Sequence, residues 1–435
     1  MSFKTALCAA SALALTAGVA AAQTTVTIAT VNNGDMIRMQ GLTDDFTSKH
    51  PDIELEWVTL EENILRQRVT QDIAANGGQF DVLTIGMYET PIWAKNGWLV
   101  PLDDMGDDYD AEDILPAMRA GLSHDGQLYA APFYGESSMV MYRTDLMEAA
   151  GMEMPEAPTW EEIRAAAEAM TDKENEVYGI CLRGKAGWGE NMAFITTVAN
   201  SFGARWFNEN WEAQLDSPEW AEAVSFYNDL LENYGPPGAS TNGFNENLAL
   251  FQQGKCGMWI DATVAASFVT NPNDSTVADS VGFALAPNKD GVEKRANWLW
   301  AWALAVPAGS DATDAAKTFI EWATSKEYLA LVAENEGWAN VPPGSRTSLY
   351  ENPEYQKVAF ADMTLQSINA ADPSDPTVGD VPYVGIQYVA IPEWAGIGTA
   401  AGQEFSAMVA GQQSPEEALS KAQALVTDEM EAAGY

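Results

Sequence analysis

The 435-residue chain carries 22 basic and 63 acidic residues, a formal charge of −41. Such a surface repels phosphate backbones and anionic membranes, which excludes nucleic acid and polyanionic substrates as partners. Hydrophobic residues make up 47% and 15 are Trp, which excludes disorder, and the length exceeds what one core holds, which predicts two domains.

The chain opens with Lys4, runs apolar through Leu7, Leu13, Leu15 and Val19, and reaches Ala20-Ala21-Ala22 before Gln23. One positive charge, a short apolar core and an A-x-A site predict a secretory signal peptide over residues 1–22. Cys8 lies only four residues after Lys4 and is a poor lipoprotein acceptor. Losing Lys4 takes the formal charge to −42. No later stretch reaches about 18 uncharged apolar residues, so no transmembrane helix is expected. Cys181 and Cys256 remain; in an oxidising compartment they can pair or stay as two buried thiols, and spacing leaves both open. With only His50 and His124, and no H-x-x-H or C-x-x-C, neither a metal site nor a cofactor is expected.

Alternation over residues 25–30 predicts a strand that ends in the polar turn Asn32-Asn33-Gly34-Asp35. A helix to Lys49, a strand over 53–58, a helix over 62–75 and a strand over 80–86 follow, the last opening into Met87-Tyr88-Glu89. This β-α-β-α-β order implies a parallel, doubly wound sheet whose ligands bind beyond the C-terminal strand ends. The loops 31–36 and 86–89 are therefore expected at one cleft. The acidic run 103–113 has no EF-hand spacing and reads as a solvated loop.

A small, polar step with Pro132 and Gly135 then precedes the β-favouring run Met139 to Tyr142, as suits a chain crossing between two bodies. Glu136 is a carboxylate inside that crossing. Thr159, with Glu162 three residues on, starts a helix over 159–171. Helices over 190–203, 217–233 and 243–253 follow, then strands at 257–260 and 281–286. Residues 297–306 alternate with large aromatics on one face. Helices over 311–334 and 392–431 flank an irregular segment, 337–390, which is long for a linker and is expected to carry site residues. Gly179 to Lys185 fits G-x-x-x-x-G-K, but Ala186 stands where Mg²⁺ needs Ser or Thr, so the match reads as a chance loop.

These signals resemble, over nearly the whole mature chain, the family 1 extracellular solute-binding proteins of ABC importers, the maltose-binding-protein-like class. The resemblance is carried by Asp81-Val82-Leu83-Thr84-Ile85, Tyr142-Arg143-Thr144-Asp145-Leu146, Thr159-Trp160-Glu161-Glu162-Ile163 and Ala249 to Met258. Within the class the chain is most similar to sorbitol/mannitol-binding proteins, through Pro132 to Ser138, Met258 to Thr263 and Gly337 to Arg346. The resemblance implies an α/β fold of two lobes, each a mostly parallel, doubly wound sheet flanked by helices, joined by a multi-strand hinge. It places residues 23–133 with 262–306 in one lobe and 134–261 with 307–435 in the other. It further implies a periplasmic monomer that closes on a sugar-like ligand and delivers it to an inner-membrane permease. Asn33, Asp35, Tyr88, Glu89 and Glu136 fall where maltose-binding protein contacts its ligand. Met87-Tyr88-Glu89 replaces a Trp- and Arg-containing loop, and 259–264 departs too, which favours a shorter, linear ligand over maltose.

A polyol is neutral, dense in hydroxyls and has an apolar C–H face, so it calls for strong acceptors and aromatic walls. Glu136 and Asp261 follow strands and fit the first need, against the blander use of a carboxylate as a cap or hinge bond. Trp188 between glycines, Trp259, Trp298 and Trp300 are the candidates for walls, with Trp302 assigned to the core. Trp338 and Arg346 lie in the late irregular segment. The alternatives are a binder of a mono- or disaccharide, and a secreted glycosidase using two of the carboxylates.

Overall fold

The computed structural model describes residues 23–106 and 109–435, so the expected signal peptide lies outside the described residues. The described residues form ten strands, β1 (Thr24–Val31), β2 (Ile53–Leu60), β3 (Val82–Ile85), β4 (Ser123–His124), β5 (Gln127–Leu128), β6 (Ala131–Glu136), β7 (Ser138–Arg143), β8 (Met258–Ala262), β9 (Val281–Leu285) and β10 (Trp300–Ala305). A five-stranded sheet has the order β2-β1-β3-β10-β6, and a three-stranded sheet has the order β8-β7-β9. In the first, β2, β1 and β3 run parallel, as the β-α-β-α-β order dictates, and β10 lies antiparallel to both β3 and β6. The second is antiparallel throughout, where a parallel sheet was expected. The reason is that β7 continues straight on from β6 with only Ser137 between them. Its direction is therefore set by the crossing and not by a helical crossover.

Each sheet anchors one lobe. The helix Glu62–Ala74 packs on the first sheet, turning Leu65, Val69 and Ile73 inward against a β1 in which Val26, Ile28 and Ala29 are fully buried. The helix Ala361–Asn369 packs on β7 and β9 of the second sheet. The chain crosses between lobes at Ser137, again between β9 and β10, and a third time after residue 346. This moves the expected lobe boundaries. Residues 281–285 belong with the second sheet because β9 pairs with β7, and the helix Thr313–Ala323 packs on β1 and β6 of the first.

Two long predicted helices prove to be pairs. Ser325 caps Lys326–Glu336, and Ser414 with Glu417 forms a capping box ahead of Pro415–Ala433, so each Ser restarts a helix after a turn. Cys181 and Cys256 are disulfide-bonded, with Cα atoms 5.9 Å apart, which settles the pairing that spacing had left open. Among the described residues no helix is long and apolar enough to cross a membrane.

Candidate functional site

The two lobes meet over a cavity walled by Trp188, Trp298, Trp300 and Trp302, with Asn33, Glu62, Arg66, Glu136, Arg183 and Gln387 as its polar lining. Its space is about 460 Å³ counted out to the open mouth. Strand β10 builds one wall. Alternation along it turns Trp300 and Trp302 to the same side, and Trp298 just ahead of it joins them. Trp302 was assigned to the core, yet it lines the cavity. Gly86 is required here because the Trp300 ring fills the place where a Cβ would stand. Trp298 and Trp300 keep buried indole N–H groups with no acceptor among the described residues, a stock of donors beside the aromatic faces.

Glu136 ends β6 directly opposite Trp300 in the β10 register. It is buried, and no described group hydrogen-bonds its carboxyl. Burial pushes its pKa up to about 8, against the pull of Arg183 and with a further push from Asp261, Glu62 and Asp35. Near neutral pH it therefore holds a proton, and can both donate to and accept from a hydroxyl.

Asp261, expected at the ligand, instead holds Arg183. Arg183 donates Nε to Asp261 Oδ2 at 2.9 Å and Nη2 to Oδ1 at 2.6 Å, a fork on a carboxylate that also takes the Trp259 indole N–H at 3.0 Å. Its Nη1 donates to the Gly189 carbonyl at 3.0 Å. Burial works against the guanidinium charge, but Asp261, then Glu190 and Glu62, outweigh it and raise the Arg183 pKa. Glu190 is itself pushed up, first by burial and then by Glu62. Trp259 is fully buried between Phe244 and Phe251, a core residue behind the cavity.

The turn at 86–89 also sits behind the lining. Glu89 takes Arg66 Nη1 at 2.6 Å and the Gly86 N–H at 3.0 Å. Tyr88 spends its hydroxyl across the lobe seam, donating toward the carbonyls of Ile391 and Pro392 at 3.2 Å each. In the first loop, Asn33 lines the cavity and donates Nδ2 to the Tyr134 hydroxyl at 3.0 Å. Asp35 does not line it: it is buried against Arg38, and burial lifts its pKa to about 6 despite that partner. Trp338, half-buried in a short 3-10 turn, is not on the lining either. Arg346 is a clasp within its own lobe: Nε and Nη2 grip the Thr324 carbonyl at 3.1 and 2.9 Å, and Nη1 takes the Asp110 carbonyl at 3.0 Å. Asp110 and Asp113, read from sequence as part of a solvated loop, are thereby tied to the late segment. That segment contains helices of its own, Thr347–Glu351 and Ala361–Asn369.

Sequence reasoning missed Glu62, Arg66, Arg183 and Gln387. Glu62 and Arg66 stand four apart on one helical face, continuous with the inward stripe of Leu65, Val69 and Ile73, and two charges on a buried face are a legible signal. Arg183 lay inside the dismissed glycine-rich match. Gln387, whose Nε2 donates to the Leu299 carbonyl at 2.8 Å, left no such trace.

Residues 33–330 match the family described as bacterial extracellular solute-binding protein. The chain is 56% identical over 411 residues to a mannitol-binding protein of Pseudomonas aeruginosa, covering 94% of each. A crystal structure of an ABC-transporter solute-binding protein from Agrobacterium vitis with bound D-mannitol has 68% identity and a TM-score of 0.93, over 94% of this chain and 99% of that one. Another, from Agrobacterium radiobacter in complex with ribitol, has 25% identity and a TM-score of 0.82 over 94% and 99%. Two lobes closing on a tryptophan-lined cavity, in a chain this similar to those proteins, place it in the bacterial extracellular solute-binding protein family.

Proposed function

We propose that this protein is the non-catalytic binding component of an ABC importer, which takes an acyclic polyol such as mannitol between its lobes and hands it to an inner-membrane permease from the periplasm. The observation that carries the reading is the chemistry of the lining. Four tryptophans offer faces to C–H groups, while Glu136 and two indole N–H groups have no hydrogen-bond partner among the described residues. A neutral chain of hydroxyls satisfies both at once, and a charged solute does not. The similarity to mannitol- and ribitol-bound relatives supports the same class.

Both lobes supply lining residues, Glu136, Trp300 and Trp302 from the first and Arg183 and Trp188 from the second. A ligand touching both favours the closed arrangement over the open one by its differential affinity. A hexitol that touches both lobes enters when they part. Seam contacts such as Lys185 to Glu61 at 2.7 Å and Asn63 to the Ala186 carbonyl at 3.2 Å must then open. The test is thermal melting against hexitols, pentitols, hexoses and disaccharides. Mannitol, sorbitol or arabitol should raise the Tm, since mass action stabilises the folded chain by about 2.7 kcal/mol at a hundredfold excess over Kd. Equal or larger shifts from maltose, with none from the hexitols, would sink the polyol reading.

A further inference from the structure

Arg66 occupies an unusual position for a cleft arginine. Its guanidinium carbon lies 4.0 Å from the ring centre of Trp188 on the opposite lobe, 4.7 Å from that of Trp302 and 5.1 Å from that of Trp300. Two carboxylates fix it in that box: Nε donates to Glu62 at 3.0 Å and Nη1 to Glu89 at 2.6 Å. Glu89 is in turn held by the Gly86 N–H. One side of Arg66 therefore faces the cavity, and the other faces the 86–89 turn, which does not reach the lining.

We propose that Arg66 is the residue that sets ligand length, a fixed plug that ends the cleft at the size of a single acyclic polyol and keeps the 86–89 turn out of reach. A lone arginine on a flexible stem would swing aside for a larger guest. This one is planar, paired with carboxylates on two sides and stacked on an indole, so displacing it breaks buried, charge-assisted bonds and a cation–π contact together. The proposal rests on the polyol reading above.

The experiment compares the full chain with two variants, Arg66→Gln and the double variant Arg66→Ala/Glu89→Gln. The second removes the plug and also neutralises a carboxyl that its loss would leave buried and unpaired. Calorimetric titration is run with mannitol and with maltitol, a hexitol carrying one glucosyl unit. The wild type should bind mannitol and reject maltitol, and a cooperatively melting variant should gain on the order of tenfold or more in maltitol affinity relative to mannitol. Folded variants that keep the wild-type ratio, or that lose both ligands, overturn the proposal. So does a wild type that already takes maltitol as tightly as mannitol. Failure of both variants to fold would make Arg66 a structural residue and overturn it as well. A wild type that binds no hexitol sinks the polyol reading and the plug with it, whereas a wild type that binds mannitol beside variants that gain nothing sinks the plug alone.

Discussion

Glu136 is buried with no hydrogen-bond partner among the described residues, and that has a consequence for pH. Its folded pKa of about 8 lies above the ordinary 4.5, so between those values the folded chain holds a proton that the unfolded chain has released. The stability this supports is complete below about pH 4.5 and is lost as pH rises through about 8. Asp35, lifted to about 6 from 3.8, acts in the same direction over a lower window. The ligand-free Tm should therefore fall from pH 5 to 8.5, and Glu136→Gln should fall less steeply, because an amide does not titrate. Parallel melting curves for the two proteins would remove Glu136 from the account. Arg346 makes the opposite case, a residue with many partners and no place on the cavity. Arg346→Lys gives up the two-pronged grip on the Thr324 carbonyl and should cost about 1.5–3 kcal/mol in denaturant unfolding. Its ligand affinity, measured on the folded fraction, should hold; a tenfold loss would return Arg346 to the site. Sequence could not separate these two residues. Both are charged groups in segments similar to polyol binders, and only the partners in space tell a group on the cavity from a clasp.

Among elements, the loop at 179–191 depends on its neighbours for its place. Cys181 ties it to the lead-in of β8 two residues before Arg183, and Asp261 on β8 grips that arginine. The disulfide spans 75 residues, for which the chain-entropy estimate is about 4.5 kcal/mol. Cys181→Ala/Cys256→Ala should lower unfolding stability by roughly 2–4 kcal/mol. A double variant as stable as the wild type would mean that the backbone bridges between residues 178–181 and 256–259 hold the loop alone. The elements themselves were largely legible. Period-two runs gave β1, β2 and β10, and the Thr159–Glu162 capping box is present as expected. The lobe boundaries were not legible, because nothing local to β9 says that it pairs with β7 more than a hundred residues earlier. The cavity face of β10 was half legible: alternation put three tryptophans on one side but could not say whether that side met core or cleft. The buried pair Glu62 and Arg66 carried a readable signal, and Gln387 carried none.

At the scale of the whole molecule, two lobes close over a lining that is aromatic, hydroxyl-seeking and nearly balanced in charge, inside a chain of formal charge −41. That contrast matters for the ligand. The acidic surface would repel an anionic solute before it reached the cleft, while a neutral polyol is indifferent to it. Binding without chemistry is the central claim, and calorimetric titration of the intact protein with mannitol, with the ligand recovered and analysed afterwards, tests it most directly. The account predicts saturable heat at one ligand per chain, mannitol returned unchanged, and weaker or absent heat with maltose. No heat from any hexitol while maltose titrates, or a sugar consumed in proportion to time, would contradict it.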